Sequence, residues 1–322
     1  MRKLLPLLLI CCLLTGCSRP ADPAPAAATA TPEIPAPAAA DLPQSQDTVT
    51  LWFRFGDEPM LAPETRTVSH SPTEGHALAI MRALIGGPSA SSNDLEGLFP
   101  QGTQVISCTQ SGRIMFVTLS RHIMHGYADE PGNWRDLPAW QQEVPQRRVL
   151  AMQAIAATLT ENCAVDTVVI LVADTASTDS LRLRRGYYAL DGDPSPAPAL
   201  MRNEALLLTP ARTAEIVLQC WIEKDYTRLY RYVARMDPAT GASRPTEADF
   251  LQQTAALPVL LHASAAGGSI AADGQSAVFT ISGAYLVAGE EQPFAGMVLR
   301  LIREKGVWRV ALSQLTGREA LE

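Results

Sequence analysis

Thiols, imidazoles, carboxylates and hydroxyls carry most side-chain chemistry, so their spacing comes first. His122 and His125 form a His-x-x-His pair near a strand end, with Asp129 and Glu130 a few residues on as oxygen donors. A zinc centre needs three or four converging ligands, and the helical His-Glu-x-x-His pattern is missing. These residues therefore read as an exposed loop, and no metal site is expected. His70 and His76 flank Ser71-Pro72-Thr73-Glu74 and read as surface residues at a helix end. Cys108 and Cys163 either pair or stay as buried thiols; spacing does not decide between the two. Neither they nor Cys220 lie in a pattern that supplies an activating His. The adjacent carboxylates Asp57/Glu58 and Glu290/Glu291 sit in turns, where nothing sets them about 5–9 Å apart across a cleft as glycosidases require. Ser120 lacks a Gly-x-Ser-x-Gly elbow, and no glycine-rich phosphate loop occurs. No catalytic residue and no cofactor is expected.

Two groups suit binding better than reaction. The stretch Met124–Pro145 carries Tyr127, Trp134 and Trp140 among Pro, Gly and polar residues. Exposed aromatics of this kind anchor a protein partner or stack on sugar rings; the other reading folds them back onto their own domain. Tyr127, Trp134 and Trp140 are the candidate partner-binding residues. Arg182, Arg184 and Arg185 cluster after a strand and would face anionic lipid or wall polymer, or simply solvent.

The amino terminus supplies an address. Arg2 and Lys3 precede an apolar run from Leu4 to Leu14, then Leu14-Thr15-Gly16-Cys17. The run has the length and flanks of a signal peptide, not of a membrane span. Leu-Thr-Gly-Cys resembles the lipobox of bacterial lipoproteins, which implies cleavage before Cys17 and a lipidated Cys17 thiol. Two or three acyl chains would hold the protein stably on a membrane. Ser18 to Gln46 then holds seven Pro and ten Ala in 29 residues, a tether that favours extended polyproline II. The boundaries expected are a signal at 1–16, anchor and tether at 17–47, and folded units at 48–204 and 209–315. The full 322 residues are 47% hydrophobic and 18% charged with formal net charge −7. That is enough apolar surface for packed cores, and no concentrated basic surface for nucleic acid.

The elements follow from periodicity. Thr48–Phe55 alternates as a strand. Ser71-Pro-Thr-Glu74 reads as a capping box opening a helix over Ala77, Leu78, Met81, Leu84 and Ile85, which Gly86-Gly87-Pro88 stops. Thr103–Cys108 and Arg113–Leu119 pair around Gln110-Ser-Gly112; Val149 to Leu159 marks a second helix, and Asp166–Val172 a strand buried on both faces. That order implies helices covering one side of a small mixed sheet. After the turn-rich Asp191–Pro198, helices are expected from Thr209, from Asp225 and near Glu247–Ala256. Strands then follow at about Val259–Ala265, Ser276–Val287, Phe294–Glu304 and Val307–Ser313, with hairpin turns at Asp273-Gly274 and Lys305-Gly306.

Leu51-Trp-Phe-Arg-Phe55, Leu61–Val68, Ala83-Leu-Ile-Gly-Gly-Pro-Ser89, Phe99-Pro-Gln-Gly-Thr103, Val117–Ser120, Ala154–Leu159 and Val165–Val172, in that order, resemble the GerMN domain of sporulation and germination lipoproteins. The resemblance implies an extracytoplasmic α/β domain related to ring-building modules of envelope assemblies, with no catalytic residues to carry over. Met124–Pro145 is a departure that looks inserted. Glu223-Lys-Asp-Tyr226, Leu229-Tyr230 and Gly306-Val-Trp-Arg-Val310 resemble the cystatin-like cone of the nuclear transport factor two superfamily. The fold class expected is thus α/β plus α+β. The function expected is a non-catalytic envelope protein, lipid-anchored on the extracytoplasmic side. It would contact an envelope protein partner in a sporulation, germination or wall-associated assembly. A peptidoglycan or small-ligand binder, or a wall-active enzyme, is the alternative.

Overall fold

Strand β1 (Ser45–Phe55) begins three residues before the expected strand and is buried from Leu51 to Phe55. The computed structural model describes residues 44–71, 73–173, 179–189, 192–255 and 257–316. Cys17 and the signal and tether segments to residue 43 lie outside them. β1 pairs antiparallel with β2 (Leu61–His70), in register from Ser45↔His70 to Arg54↔Leu61. The periodicity reading missed β2, which contains Pro63. The sheet order β2-β1-β3, with β3 at Leu95–Glu96, explains why a proline is tolerated: β2 is an edge, and its outer backbone owes no ladder bond. On its other side β1 pairs with β3 only at Arg54 and Phe55.

Helix α1 (His76–Ile85) starts later than the capping-box reading placed it. Ser71 to Glu74 forms a turn closed by Glu74 N–H donating to Ser71 O at 3.1 Å, and Gly75, at φ 81°, is the residue before the helix, with no side-chain cap. The positive φ at Gly75 redirects the chain, and the helix opens only at His76. The hairpin β4 (Val105–Ser111) and β5 (Ile114–Leu119) forms as expected. Helix α2 (Pro138–Asn162) is longer than its apolar face suggested and takes in the end of the supposed insertion, Pro145 included. From Leu150 to Leu159 every residue but Gln153 is buried, the pattern of a helix enclosed on all sides. Asn162 and Thr158 of α2 complete the free edge of β1. Thr50 N–H donates to Asn162 Oδ1 at 2.9 Å, Asn162 Nδ2 donates to Thr50 O at 2.7 Å, and Trp52 N–H donates to Thr158 Oγ1 at 3.1 Å. Buried backbone groups that lack a strand partner are thereby satisfied by side chains.

Strand β6 (Thr167–Ala173) runs parallel to β5 and antiparallel to β7 (Ser180–Arg182) and β8 (Leu200–Met201). The expected single sheet is therefore two: β2-β1-β3, and the mixed five-stranded sheet β4-β5-β6-β7 with β8 on β6. α1 and α2 each touch strands of both. The α/β reading survives, with the helices lodged between sheets rather than over one face.

Beyond Asn203 the elements lie close to their expected positions. Helix α3 (Pro210–Glu223) is capped by Thr209 and helix α4 (Tyr226–Tyr232) by Asp225; α5 spans Glu247–Thr254. Strands β9 (Val259–Ile270), β10 (Ser276–Val287), β11 (Glu290–Glu304) and β12 (Val307–Val310) form an antiparallel sheet in the order β12-β11-β10-β9, followed by the short helix α6 (Leu312–Thr316). Helices before an antiparallel sheet make this half α+β. One hydrophobic cluster runs through both halves, from Phe53 and Leu84 to Trp221, Phe250 and Leu301.

Candidate functional site

The candidate aromatics divide when seen in three dimensions. Trp134 is 4% exposed, so the side chain singled out for a partner belongs to the interior. Arg135 and Arg148 flank its ring at 4.3 and 5.7 Å from the centroid. Tyr127 and Trp140 are half-buried beneath one guanidinium, that of Arg147, at 5.3 and 5.7 Å. Arg147 also pairs with Asp129 and Glu143, and Arg148 with Glu130. Tyr187 Oη donates to Ile123 O at 2.8 Å, and burial pushes that phenol up to about 12. The stretch thus folds back on its own domain, held by cation–π and ion-pair contacts from α2.

Glu143 carries the network inward to the buried guanidinium of Arg54, which also donates to the carbonyls of Asp57 and Glu58. The side chains of those two acids turn to the other half. Glu58 accepts both Arg228 nitrogens at 2.7 Å, and Asp57 pairs with Arg231. Their bond to Glu58 raises Arg228 above the ordinary guanidinium range. Asp94 receives Arg235 at 2.8 Å and the buried Arg309 at 2.6 Å. Beside them lies a cleft of about 320 Å³ whose charged lining is Asp94, Glu304, Arg235, Lys305 and Arg309. At its rim Gly306 (φ 90°) sits so close to β2 that a Cβ there would lie 2.3 Å from Pro63 O. The Asp57/Glu58 pair noted in the sequence is a docking group between the halves.

The remaining chemical candidates stay apart. Ser120 Oγ accepts Gln104 N–H at 3.0 Å and faces His122 Nδ1 at 3.4 Å, but among the described residues no carboxylate pairs with His122. Its ring meets His125 edge-on at 5.0 Å between centroids. Cys108, Cys163 and Cys220 are free thiols, and burial pushes Cys108 and Cys220 up to about 12, far from a reactive thiolate.

Two groups were not legible from local pattern. One is a depression of about 360 Å³ at the end of β6 and β7, where Arg121, Arg182 and Arg184 surround Met124 and Leu181. Leu181 is 62% and Met124 45% exposed, and among the described residues no ion pair joins these three arginines to a carboxylate. The arginine cluster after a strand was the available signal; Arg121 and Met124 join it only through the β5–β6 pairing. The second is the meeting of Asp47, His70 and His76. His70 Nε2 lies 2.8 Å and His76 Nδ1 3.0 Å from Asp47 Oδ2, and the imidazoles hold that carboxyl below its ordinary value, the His70 hydrogen bond foremost. Among the described residues it is the one group of three His, Cys, Asp or Glu side chains whose ligand atoms converge. Asp47 faces Val68 across the ladder, so His70 is its same-face diagonal neighbour, and the β1–β2 register brings the two together.

No helix among the described residues is long and apolar enough to cross a membrane. Comparison with curated proteins finds no match. Among solved structures, the chain is similar to one from Clostridium perfringens described as a lipoprotein, at 16% identity over 50% of this chain and 89% of that one, with a TM-score of 0.29. It is also similar to the tandem GerMN domains of the sporulation protein GerM from Bacillus subtilis, at 16% identity over 42% of this chain and 44% of that one, with a TM-score of 0.28. The family model Germane, described as sporulation and spore germination, matches residues 50–178. That span takes in most of β1, all of β2, α1 and α2, and the β4-β5-β6 core, and over it the chain matches the Germane domain model of sporulation and spore germination.

Proposed function

We propose that this chain is a non-catalytic envelope protein, lipid-anchored through Cys17 on the extracytoplasmic side, whose Germane domain binds a protein partner in a sporulation, germination or wall-associated assembly. The observation that carries the reading is the Arg121–Met124–Leu181–Arg182–Arg184 depression. An exposed Met beside guanidiniums that meet no carboxylate among the described residues matches the composition of interfaces, in which Arg and Met are enriched. This patch replaces the aromatic stretch as the contact face, because Trp134 fills its own core and Tyr127 and Trp140 are covered by Arg147.

The test is photo-crosslinking in the native envelope from a probe at position 181, with a second probe at position 236, another exposed apolar site, as control. One discrete protein adduct from 181, lost on Arg182→Glu and absent from 236, is the expected result. Equal adducts from both positions, or none from 181, would remove the patch from the proposal. Cys17→Ser tests the anchor separately, and should abolish incorporation of labelled fatty acid into the chain.

A further inference from the structure

The Asp47–His70–His76 cluster takes no part in the arginine-ringed depression. Asp47 stands near the start of β1, His70 ends β2, and His76 is the first residue of α1, so three separate elements deliver one side chain each. The β1–β2 ladder fixes the first two, and the turn through Gly75 swings the third back toward them. The two imidazole rings meet edge-on at 5.3 Å between centroids, with His70 Nε2 and His76 Nδ1 both aimed at the same carboxylate oxygen.

We infer that Asp47, His70 and His76 form a binding site for one divalent transition-metal ion of the zinc class. Two imidazole nitrogens and one carboxylate oxygen are a borderline donor set that suits Zn²⁺ or Co²⁺ over the all-oxygen preferences of Mg²⁺ and Ca²⁺. Donors at about 2.0–2.1 Å from a tetrahedral ion stand roughly 3.3 Å apart. The observed 2.8 and 3.0 Å separations reach that by opening a few tenths of an ångström. All the donor atoms already lie within 4.8 Å of one another.

The far side of His70 supports the same assignment. Its Nδ1 faces Ser71 O at 3.4 Å, and a ligating imidazole directs its second N–H at just such a carbonyl. With the proton on Nδ1, Nε2 presents a lone pair to the carboxylate, and a cation between them turns that repulsion into attraction. Access is open: Asp47 and His76 are 45% and 36% exposed, while His70 at 15% supplies the rigid wall. Three protein ligands leave a fourth position for water or for a donor from outside the chain.

The test uses the full chain in detergent, stripped with a chelator and titrated with Zn²⁺ by calorimetry and with Co²⁺ by visible absorption. One ion per chain is expected, with a Co²⁺ spectrum of low-symmetry nitrogen and oxygen ligation and a Zn²⁺-dependent rise in melting temperature. Asp47→Asn and His76→Asn, both at exposed positions and checked by circular dichroism, should each weaken binding at least tenfold and abolish the rise. The double variant His122→Asn/His125→Asn should bind as the parent does. Absence of one-to-one uptake, parental affinity in both Asp47→Asn and His76→Asn, or loss of binding in the His122/His125 variant would each overturn the assignment and leave a hydrogen-bonded His–Asp–His cluster without metal.

Discussion

Arginine occupies two kinds of ground in this molecule. At the junction of the halves, Arg228, Arg231, Arg235 and Arg309 each meet a carboxylate from Asp57, Glu58 or Asp94. At the end of β6 and β7, Arg121, Arg182 and Arg184 stand among exposed apolar side chains with no such partner among the described residues. The guanidinium is the same, so the difference lies in what surrounds it. A buried pair that loses one partner strands a charge, whereas an exposed cation is already hydrated and waits on nothing in its own chain. Substitutions at the first ground should therefore change stability, and at the second, association.

The sharpest break of that contrast is at Gly306. Its φ of 90° disfavours a side chain, and an added Cβ would press on a backbone carbonyl that cannot swing aside. Gly306→Ala should lower unfolding free energy by about 3 kcal/mol or more, combining backbone strain with overpacking. A urea midpoint equal to the parent's would mean that the hairpin turn is free to leave Pro63. Next comes Glu58→Ala, which leaves Arg228 facing a vacated acid. A loss of about 2–3 kcal/mol is expected, below the range for a fully buried pair because Arg228 keeps some solvent contact. Arg228→Met in the same chain should recover part of it; simple additivity of the two losses would refute a direct coupling.

Acid should act on the structural ground in the same sense. For Glu64, burial alone would raise the carboxyl, but Ser89 N–H, the Ser92 hydroxyl and Arg66 together hold it below the ordinary value. Glu143 is likewise held down against burial, by Arg54 and Arg147. A depressed folded value means that these groups stabilise the fold above the unfolded carboxyl range of about 4.3. The contribution is lost as pH falls below that range through the lower folded values. Urea unfolding between pH 6 and 3 should show this decline, shallower in Glu64→Gln; an identical slope in that variant would deny Glu64 a share. Smallest of all is the stability effect of Arg182→Glu, expected within about 0.5 kcal/mol of zero while the crosslink from position 181 disappears. A large stability loss there would return Arg182 to the structural class.

The second half was legible because its signals are local. β10 alternates, Asp273-Gly274 and Lys305-Gly306 turn, and Asp225 and Thr209 cap, each within a few residues of what it governs. The first half hid more. Pro63 and Glu64 disguised β2, and Ser71-Pro72 resembled a cap until Gly75 reversed the chain. The division into two sheets depends on α1 and α2 being shared between them. The Arg–acid junction joins residues up to 215 positions apart, and Asp47 meets His70 only through a strand register; no periodicity encodes either. The aromatic stretch was visible as composition, but composition does not say that Trp134 turns inward, where Arg148 of the following helix meets its ring.

The ten-residue pairing of β1 with β2 also has a mechanical side. Any force arriving from upstream of Ser45 enters the fold along the axis of a strand. It loads many ladder bonds in shear together instead of peeling them one by one. The Asp47–His70–His76 knot lies at the loaded end, like a rivet at the lip of a lap joint, and an ion bound there would raise the pull at which that seam begins to slip.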